Sequence, residues 1–429
     1  MTYEEALLWI HNRLKFGSRP GLIRVEALLE RIGNPHVGLP IVHIGGTNGK
    51  GSTVAFLRGL LEGQGLRVGT FTSPFITTFN ERISINQQPI SDESLIRLVE
   101  RVKPLVEEMD QNPEIAGITE FELITVLMFL HFKEQQVDVA LVEVGLGGLL
   151  DSTNMIVDPL ATAITTIGLD HMDILGDTLE KIAVQKAGII KPHAPVIIGD
   201  LPIEARDVMI DVARNKEAPA FIFDESYGYQ ELGGAGFEFW TGESRLQLTQ
   251  PLIGHHQFHN ASVALMTYFA IAPQLGLSQD QTLLQSALDK VRWPGRMEVM
   301  SHEPLIVIDG AHNEPAVKVL VDNIQRDFVD KKVTILFAAI NTKDISSMLT
   351  MLREAVDNRL HMTTFDYPSA VPISKYVDKF PSEQLHADWP TAFETLKGEL
   401  FPDDVLIVTG SLYFISQVRD YITKSEGNT

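Results

Sequence analysis

Ile41-Val42-His43-Ile44-Gly45-Gly46-Thr47-Asn48-Gly49-Lys50-Gly51-Ser52-Thr53 reads as a buried strand, a Gly-rich turn and the hydroxyl-bearing start of a helix. Glycines let backbone N–H groups turn towards phosphate oxygens, and the helix N-terminus adds a favourable dipole. Lys50 supplies a charge, and Ser52 is placed to reach a magnesium ion. The stretch departs from the strict Walker A spacing: one residue is missing before Gly49-Lys50, and Gly51 intervenes before the hydroxyl. A plain Gly-rich strand-to-helix turn has the same outline, but Lys50, Ser52 and Thr53 together favour nucleotide binding.

Outward from this loop, short β-branched runs alternate with longer amphipathic segments, the pattern of parallel strands joined by crossover helices. Strands are predicted at 41–44, 67–72, 137–144, 160–167 and 195–198, with helices at 50–64, 91–109, 119–135 and 177–188. A second series follows the Trp293-Pro294-Gly295-Arg296 turn, with strands at 305–308, 333–338, 360–365 and 405–409. The class is α/β: an N-terminal domain with the phosphate loop and a mainly parallel sheet, then a smaller Rossmann-like domain, with the boundary near 293–298. Residues 219–253 suggest a small antiparallel excursion.

At 429 residues the chain exceeds the size at which one core usually stops growing, which also argues for two domains. Its 35 basic and 56 acidic residues give a formal charge of −21, which opposes binding to nucleic acid or an anionic membrane. Without cysteine there is no disulfide and no thiolate chemistry or metal site, so any metal is expected to be a hard one. The N-terminus opens with acids rather than a basic then apolar leader, and the most apolar stretch, 137–150, is too short to span a bilayer. A cytoplasmic protein is expected.

A GTPase is the first rival, because Asp173-Ile174-Leu175-Gly176 fits the pattern DxxG. Asn215-Lys216-Glu217-Ala218 lacks the final Asp of the guanine-reading sequence, so ATP is preferred. His255, His256 and His259 invite a zinc reading, but without a convincing fourth ligand they are read as a capping loop before an apolar helix at 261–270.

The form Gly46-Thr47-Asn48-Gly49-Lys50-Gly51-Ser52 resembles the phosphate loop of the folylpolyglutamate synthase branch of the Mur ligase superfamily. The resemblance recurs in order through Thr72-Ser73-Pro74-Phe75, Asn80-Glu81-Arg82-Ile83, Thr119-Glu120-Phe121-Glu122, Glu143-Val144-Gly145-Leu146-Gly147-Gly148 and Asp151-Ser152-Thr153-Asn154. It continues in Leu169-Asp170-His171, Gln185-Lys186-Ala187-Gly188, Trp293-Pro294-Gly295-Arg296, Asp309-Gly310-Ala311-His312-Asn313 and Thr409-Gly410-Ser411-Leu412-Tyr413.

The resemblance implies an ATP-dependent ligase that phosphorylates the terminal carboxylate of a reduced folate and couples it to L-glutamate. It implies ATP contacts at Asn48, Gly49, Lys50, Gly51, Ser52, Asn260, Arg296 and Asp309, with Lys50, Lys186 and His312 acting in catalysis. Ser73, Glu143 and His171 would be magnesium ligands, and Lys186 would carry a carbamate. Phe75, Arg82 and Phe121 would border the folate, although the aromatic residues read equally well as core. It further implies an ATP- and folate-binding domain at 1–295 and a glutamate-binding domain at 296–429, whose closure completes the site, in a monomer. Leu149 and Phe75 stand where relatives often carry a basic residue and a histidine, which bears on substrate range. The rival readings are a bifunctional enzyme that also glutamylates dihydropteroate and, from another class, a nucleotide-binding regulator without ligase activity.

Overall fold

Runs of Ile, Val, Leu and Ala with no polar face require a sheet covered on both sides, and the largest sheet of the structure is of that kind. The computed structural model describes residues 1–17, 19, 21–341 and 345–426. Its chain divides into two compact units, 1–251 with 258–291, and 252–257 with the segment from 292 onward.

The first unit holds β1 (Ile41–Gly45), β2 (Val68–Phe71), β3 (Ile83–Ile85), β4 (Gln88–Pro89), β5 (Val139–Glu143), β6 (Ala161–Ile164), β7 (Val196–Ile198) and β8 (Ala220–Ile222). They form one sheet in the order β4-β3-β2-β5-β1-β6-β7-β8. The strands from β2 to β8 in that order run parallel, while β3 and β4 add an antiparallel edge. Both β1 and β5 are buried along their full length. Each large aliphatic side chain removed from water there contributes about 1.5–3 kcal/mol. A β9 (Tyr227–Gly233), β10 (Gly236–Thr241), β11 (Ser244–Thr249) meander forms a separate antiparallel sheet.

The excursion read from the sequence at 219–253 is thus narrower than expected, because 220–222 pairs in parallel with β7 and extends the main sheet. The capping loop read around the histidines is also corrected. A helix spans His256–Leu275, so His256, His259 and Asn260 are helical, and the turn that starts it lies at Gly254, whose φ is +108°.

The second unit holds β12 (Glu298–His302), β13 (Leu305–Ile308), β14 (Val333–Phe337), β15 (Leu360–Met362) and β16 (Val405–Thr409). Their order is β12-β13-β16-β14-β15, with β12 antiparallel to an otherwise parallel sheet. Val307, Ile335, Phe337, Leu360 and Ile407 lie in its core.

In both sheets the segments leaving the C-terminal strand ends carry the polar motifs, where open α/β sheets present their ligand crevices.

Candidate active site

In the first unit the phosphate loop leaves β1 between two neighbours, β5 and β6. Thr47 N donates to Thr166 O at 2.7 Å, Asn48 N to Thr166 Oγ1 at 3.0 Å, and Thr165 Oγ1 to Asn48 O at 2.6 Å. Thr165 and Thr166 therefore clamp the loop from β6. Sequence reading missed them because they sit inside an apolar run with no motif of their own.

Close packing explains two glycines. Gly46 has φ +143°, and a Cβ there would lie 2.0 Å from Thr165 Oγ1. Gly49 has φ +83°, and its Cβ would lie 2.4 Å from Asn260 Oδ1, which places Asn260 directly against the loop. Gly49 caps the helix Lys50–Glu62 and, as a glycine, brings no side chain of its own to the first-turn N–H groups. Ser52 and Thr53 are buried on that first turn.

Lys50 Nζ donates to the carbonyl oxygens of Gly46 and Thr47 at 3.0 and 3.1 Å and stands 3.9 Å from Glu143 Oε1. Lys186 Nζ donates to the same Gly46 oxygen at 2.9 Å. Burial, reinforced by the positive charge of Lys50, pulls the Lys186 ammonium down to about 7. Its helix, Leu179–Ala187, ends at Gly188, and this brings the side chain under the loop.

Glu143 ends β5 and is buried. Ser73 N lies 3.4 Å from its Oε2, so two of the three residues expected at magnesium come together. The third, His171, has φ +50°, starts the short helix Met172–Leu175 and is half-exposed with Nε2 3.9 Å from Asp170 Oδ2. Among the described residues no group of three or more His, Cys, Asp or Glu converges as a metal cluster. A buried carboxylate beside a serine still fits magnesium, which keeps waters and substrate phosphates among its ligands.

Of the three residues expected near folate, Phe75 and Arg82 adjoin one another, and Phe121 follows Glu120, which Arg82 reaches. Arg82 lies over the rings of Phe75 and Phe79 at 5.3 and 5.5 Å and reaches Glu120 at 3.8 Å. Phe121 packs on Phe71 at 5.7 Å, and a Cβ on Gly145 would lie 2.4 Å from its ring. His11 Nδ1 lies 2.8 Å from Glu120 Oε2, so the N-terminal helix, which carried no motif, contributes here.

In the second unit, the Asp309 carboxylate accepts from Met297 N and Ala311 N, both at 2.9 Å. Burial pushes this carboxyl up, and Arg296 opposes the shift. A Cβ on Gly310 would lie 3.1 Å from an Arg296 guanidinium nitrogen, so Arg296, Asp309 and the Gly310 turn form one cluster. His312 Nδ1 donates to Gly310 O at 2.8 Å, which places its imidazole at the same turn. Asn313 then caps the helix Glu314–Asp327 through Ala316 N.

Comparisons with known proteins follow the same division. Residues 44–268 match the Mur ligase middle domain and 295–412 the Mur ligase glutamate ligase domain. A dihydrofolate synthase/folylpolyglutamate synthase of Bacillus subtilis is 40% identical over 426 residues, covering 97% of this chain and 98% of that one. A folylpolyglutamate synthase of Lacticaseibacillus casei is 35% identical, covering 98% of each. Among solved structures, a folylpolyglutamate synthase of Thermotoga maritima superposes with a TM-score of 0.85 at 32% identity, covering 99% of this chain and 97% of that one. An FPGS–AMPPCP–folate complex gives 0.83 at 32% identity, covering 98% and 100%. No described helix is long and apolar enough to cross a membrane. The chain belongs to the Mur ligase family, in its folylpolyglutamate synthase branch, and is an ATP-dependent carboxylate–amine ligase.

Proposed function

We propose that the chain adds L-glutamate to the glutamate tail of a reduced folate, in the cytoplasm and as a monomer, with residues 1–295 binding ATP and folate and 296–429 binding glutamate. A carboxylate resists amine attack until one of its oxygens becomes part of a leaving group. The γ-phosphoryl group of ATP passes to the terminal carboxylate and ADP departs. The glutamate amine then attacks the acyl carbon, loses a proton and expels phosphate. Phosphoryl transfer demands positioning and charge neutralisation more than covalent help from the protein.

The observation that carries this reading is the Lys50–Gly46–Lys186 arrangement beside Glu143, in a chain that matches folylpolyglutamate synthases over nearly its whole length. Lys50 and the backbone of Asn48–Ser52 hold the phosphates, Asn260, Arg296 and Asp309 contact ATP, and His312 acts close to the phosphates. Ser73, Glu143 and His171 are the proposed magnesium ligands; the ion would neutralise charge on the transferring group. Lys186, with its pKa near 7, is the proposed carbamate carrier. Phe75, Arg82 and Phe121 border the folate.

A second reading is favoured by the 40% identity to a protein named for both activities: dihydropteroate is then also a substrate. Purified chain is incubated with ATP, magnesium and labelled glutamate, with tetrahydrofolate and dihydropteroate in separate reactions resolved by mass. Addition to tetrahydrofolate alone supports a dedicated polyglutamate synthase, and addition to both supports the bifunctional reading. Addition to neither, with ATP still turned over, defeats the proposal and returns the regulator reading.

A further inference from the structure

His43 lies in the middle of β1, fully buried, two residues before the phosphate loop begins. Its Nε2 is 2.8 Å from Thr153 Oγ1, and its Nδ1 is buried with no hydrogen-bond partner. Thr153 Oγ1 in turn contacts Asp151 Oδ1. Asp151 is buried; its Oδ1 also accepts from Thr153 N at 2.9 Å, and its Oδ2 accepts from Leu146 N at 2.7 Å.

The direction of each bond is fixed by elimination. Burial pushes the Asp151 carboxyl up, but the Thr153 hydroxyl and the N–H groups of Thr153 and Leu146 all converge on its two oxygens and oppose that shift, so the carboxylate accepts and the Thr153 hydroxyl donates its one proton to it. The hydroxyl must then accept from His43, which places the imidazole proton on Nε2 and leaves Nδ1 bare, in agreement with its lack of a partner. Burial holds this histidine neutral by pulling it down to about 3, so a second proton is not available to it. The result is a chain whose donors converge on the Asp151 carboxylate, from His43 through Thr153 on one side and from the backbone N–H of Leu146 on the other.

That endpoint lies in the loop from Gly145 to Leu150, which follows Glu143. On one side the loop abuts Phe121 at Gly145; on the other, Leu149 N donates to Gln185 O at 2.7 Å, and a Cβ on Gly148 would lie 3.0 Å from Lys186 O. Asn154 Nδ2 adds a hold on Leu149 O at 3.0 Å. We infer that His43 and Thr153 are positioning residues, which lock the 145–150 loop in the conformation that aligns the folate-side wall with Glu143 and Lys186. This inference rests on the proposed placement of folate beside Phe121. It gives the buried polar residue of β1 a task that packing alone would assign to a valine: it couples the strand that feeds the phosphate loop to the loop opposite.

The test compares Thr153→Val, which removes the hydroxyl at constant shape, with Thr153→Ser, which keeps it. Steady-state kinetics are run with tetrahydrofolate and ATP varied separately, and hydrogen–deuterium exchange is followed in the 144–151 segment. Thr153→Val is expected to raise the folate KM by about 10-fold or more, a typical loss when an orienting partner is removed, with the ATP KM within about two-fold of the parent. Exchange at 144–151 accelerates in this variant, and Thr153→Ser restores both readouts. A valine variant that matches the serine variant in folate KM and in exchange overturns the inference, as does an equal rise in both KM values. Should the valine variant not fold, His43→Gln, whose amide nitrogen replaces Nε2, is compared with His43→Asn, whose nitrogen falls short; equal behaviour of that pair overturns the inference. A parent enzyme that binds ATP but does not glutamylate folate defeats the functional proposal instead, and the exchange comparison then decides the relay alone.

Discussion

Lys50 and Lys186 donate to one acceptor, the carbonyl oxygen of Gly46, at 3.0 and 2.9 Å. Burial, reinforced by the repulsion between two ammonium groups on a single oxygen, brings Lys186 to about 7 from its ordinary 10.5. A neutral amine is the form that reacts with carbon dioxide. Ligation is therefore expected to rise as pH increases through about 7, and ¹³C-labelled carbon dioxide should give a carbamate resonance that Lys186→Arg lacks. An activity profile flat from below to above that pH, with no resonance, would remove the carbamate from the mechanism.

The same depressed lysine has a stability consequence. Between about 7 and 10.5 the unfolded chain binds the proton that folded Lys186 releases, so its contribution to stability grows as pH rises through that window and is lost as pH falls towards 7. Lys186→Met is expected to flatten the slope of unfolding free energy against pH there, measured by denaturant titration at several pH values.

Lys50→Ala and His171→Ala are each expected to abolish ligation. Loss of one preorganised charge contact at a transferring group costs about 10²–10³ in kcat. Since His171 is half-exposed, its removal should leave the thermal midpoint within about 2 °C of the parent. Near-normal product formation by either variant, assayed by mass, rules out its assigned role.

Gly46→Ala forces a methyl group to within 2.0 Å of the Thr165 hydroxyl at a backbone angle that disfavours any side chain. The strain should destabilise the protein by about 1–3 kcal/mol and weaken ATP binding, both read by thermal unfolding with and without nucleotide. Unchanged nucleotide stabilisation would mean that the loop does not hold phosphate.

Arg24 and Glu122 form a buried pair, with contacts of 2.8 and 3.1 Å, that ties the helix Ile23–Arg31 to the start of Glu120–Gln135. Arg24→Met leaves the Glu122 charge buried alone, and the expected loss is about 3–5 kcal/mol by denaturant unfolding. Glu122 follows Glu120 and Phe121 on the same helix, so the folate KM should rise as well. A variant as stable as the parent would assign the pair no structural weight.

The parallel strands were legible because continuous burial writes itself as unbroken runs of Val, Ile and Leu, and the phosphate loop because Gly, Lys and hydroxyls have few other reasons to cluster. The antiparallel edge was not, since β3 and β4 are short and joined at Asn86-Gln87, where φ is +46° and +67° without any glycine to announce the turn. The strand β12 was hidden for a related reason: Glu298, Ser301 and His302 give an antiparallel edge no apolar run to read. At the site, Lys186 carried no chemical signal of its own in the sequence. Its burial and its partner on Gly46 are consequences of tertiary packing, as is the grip of Thr165 on the loop.

The chain leaves its first unit at residue 252, returns at 258 and leaves again at 292. The short excursion is not ornamental: Ile253 packs into the core of the second unit, and His255 N donates to Asn323 Oδ1 at 3.1 Å. A fragment starting at 292 would lose this peptide, and a fragment ending at 291 would carry it as an orphan. Neither half of this protein is therefore a natural cassette, and gene fusions or split-protein reporters built on a single cut at the obvious boundary would sever a piece of one core to free the other.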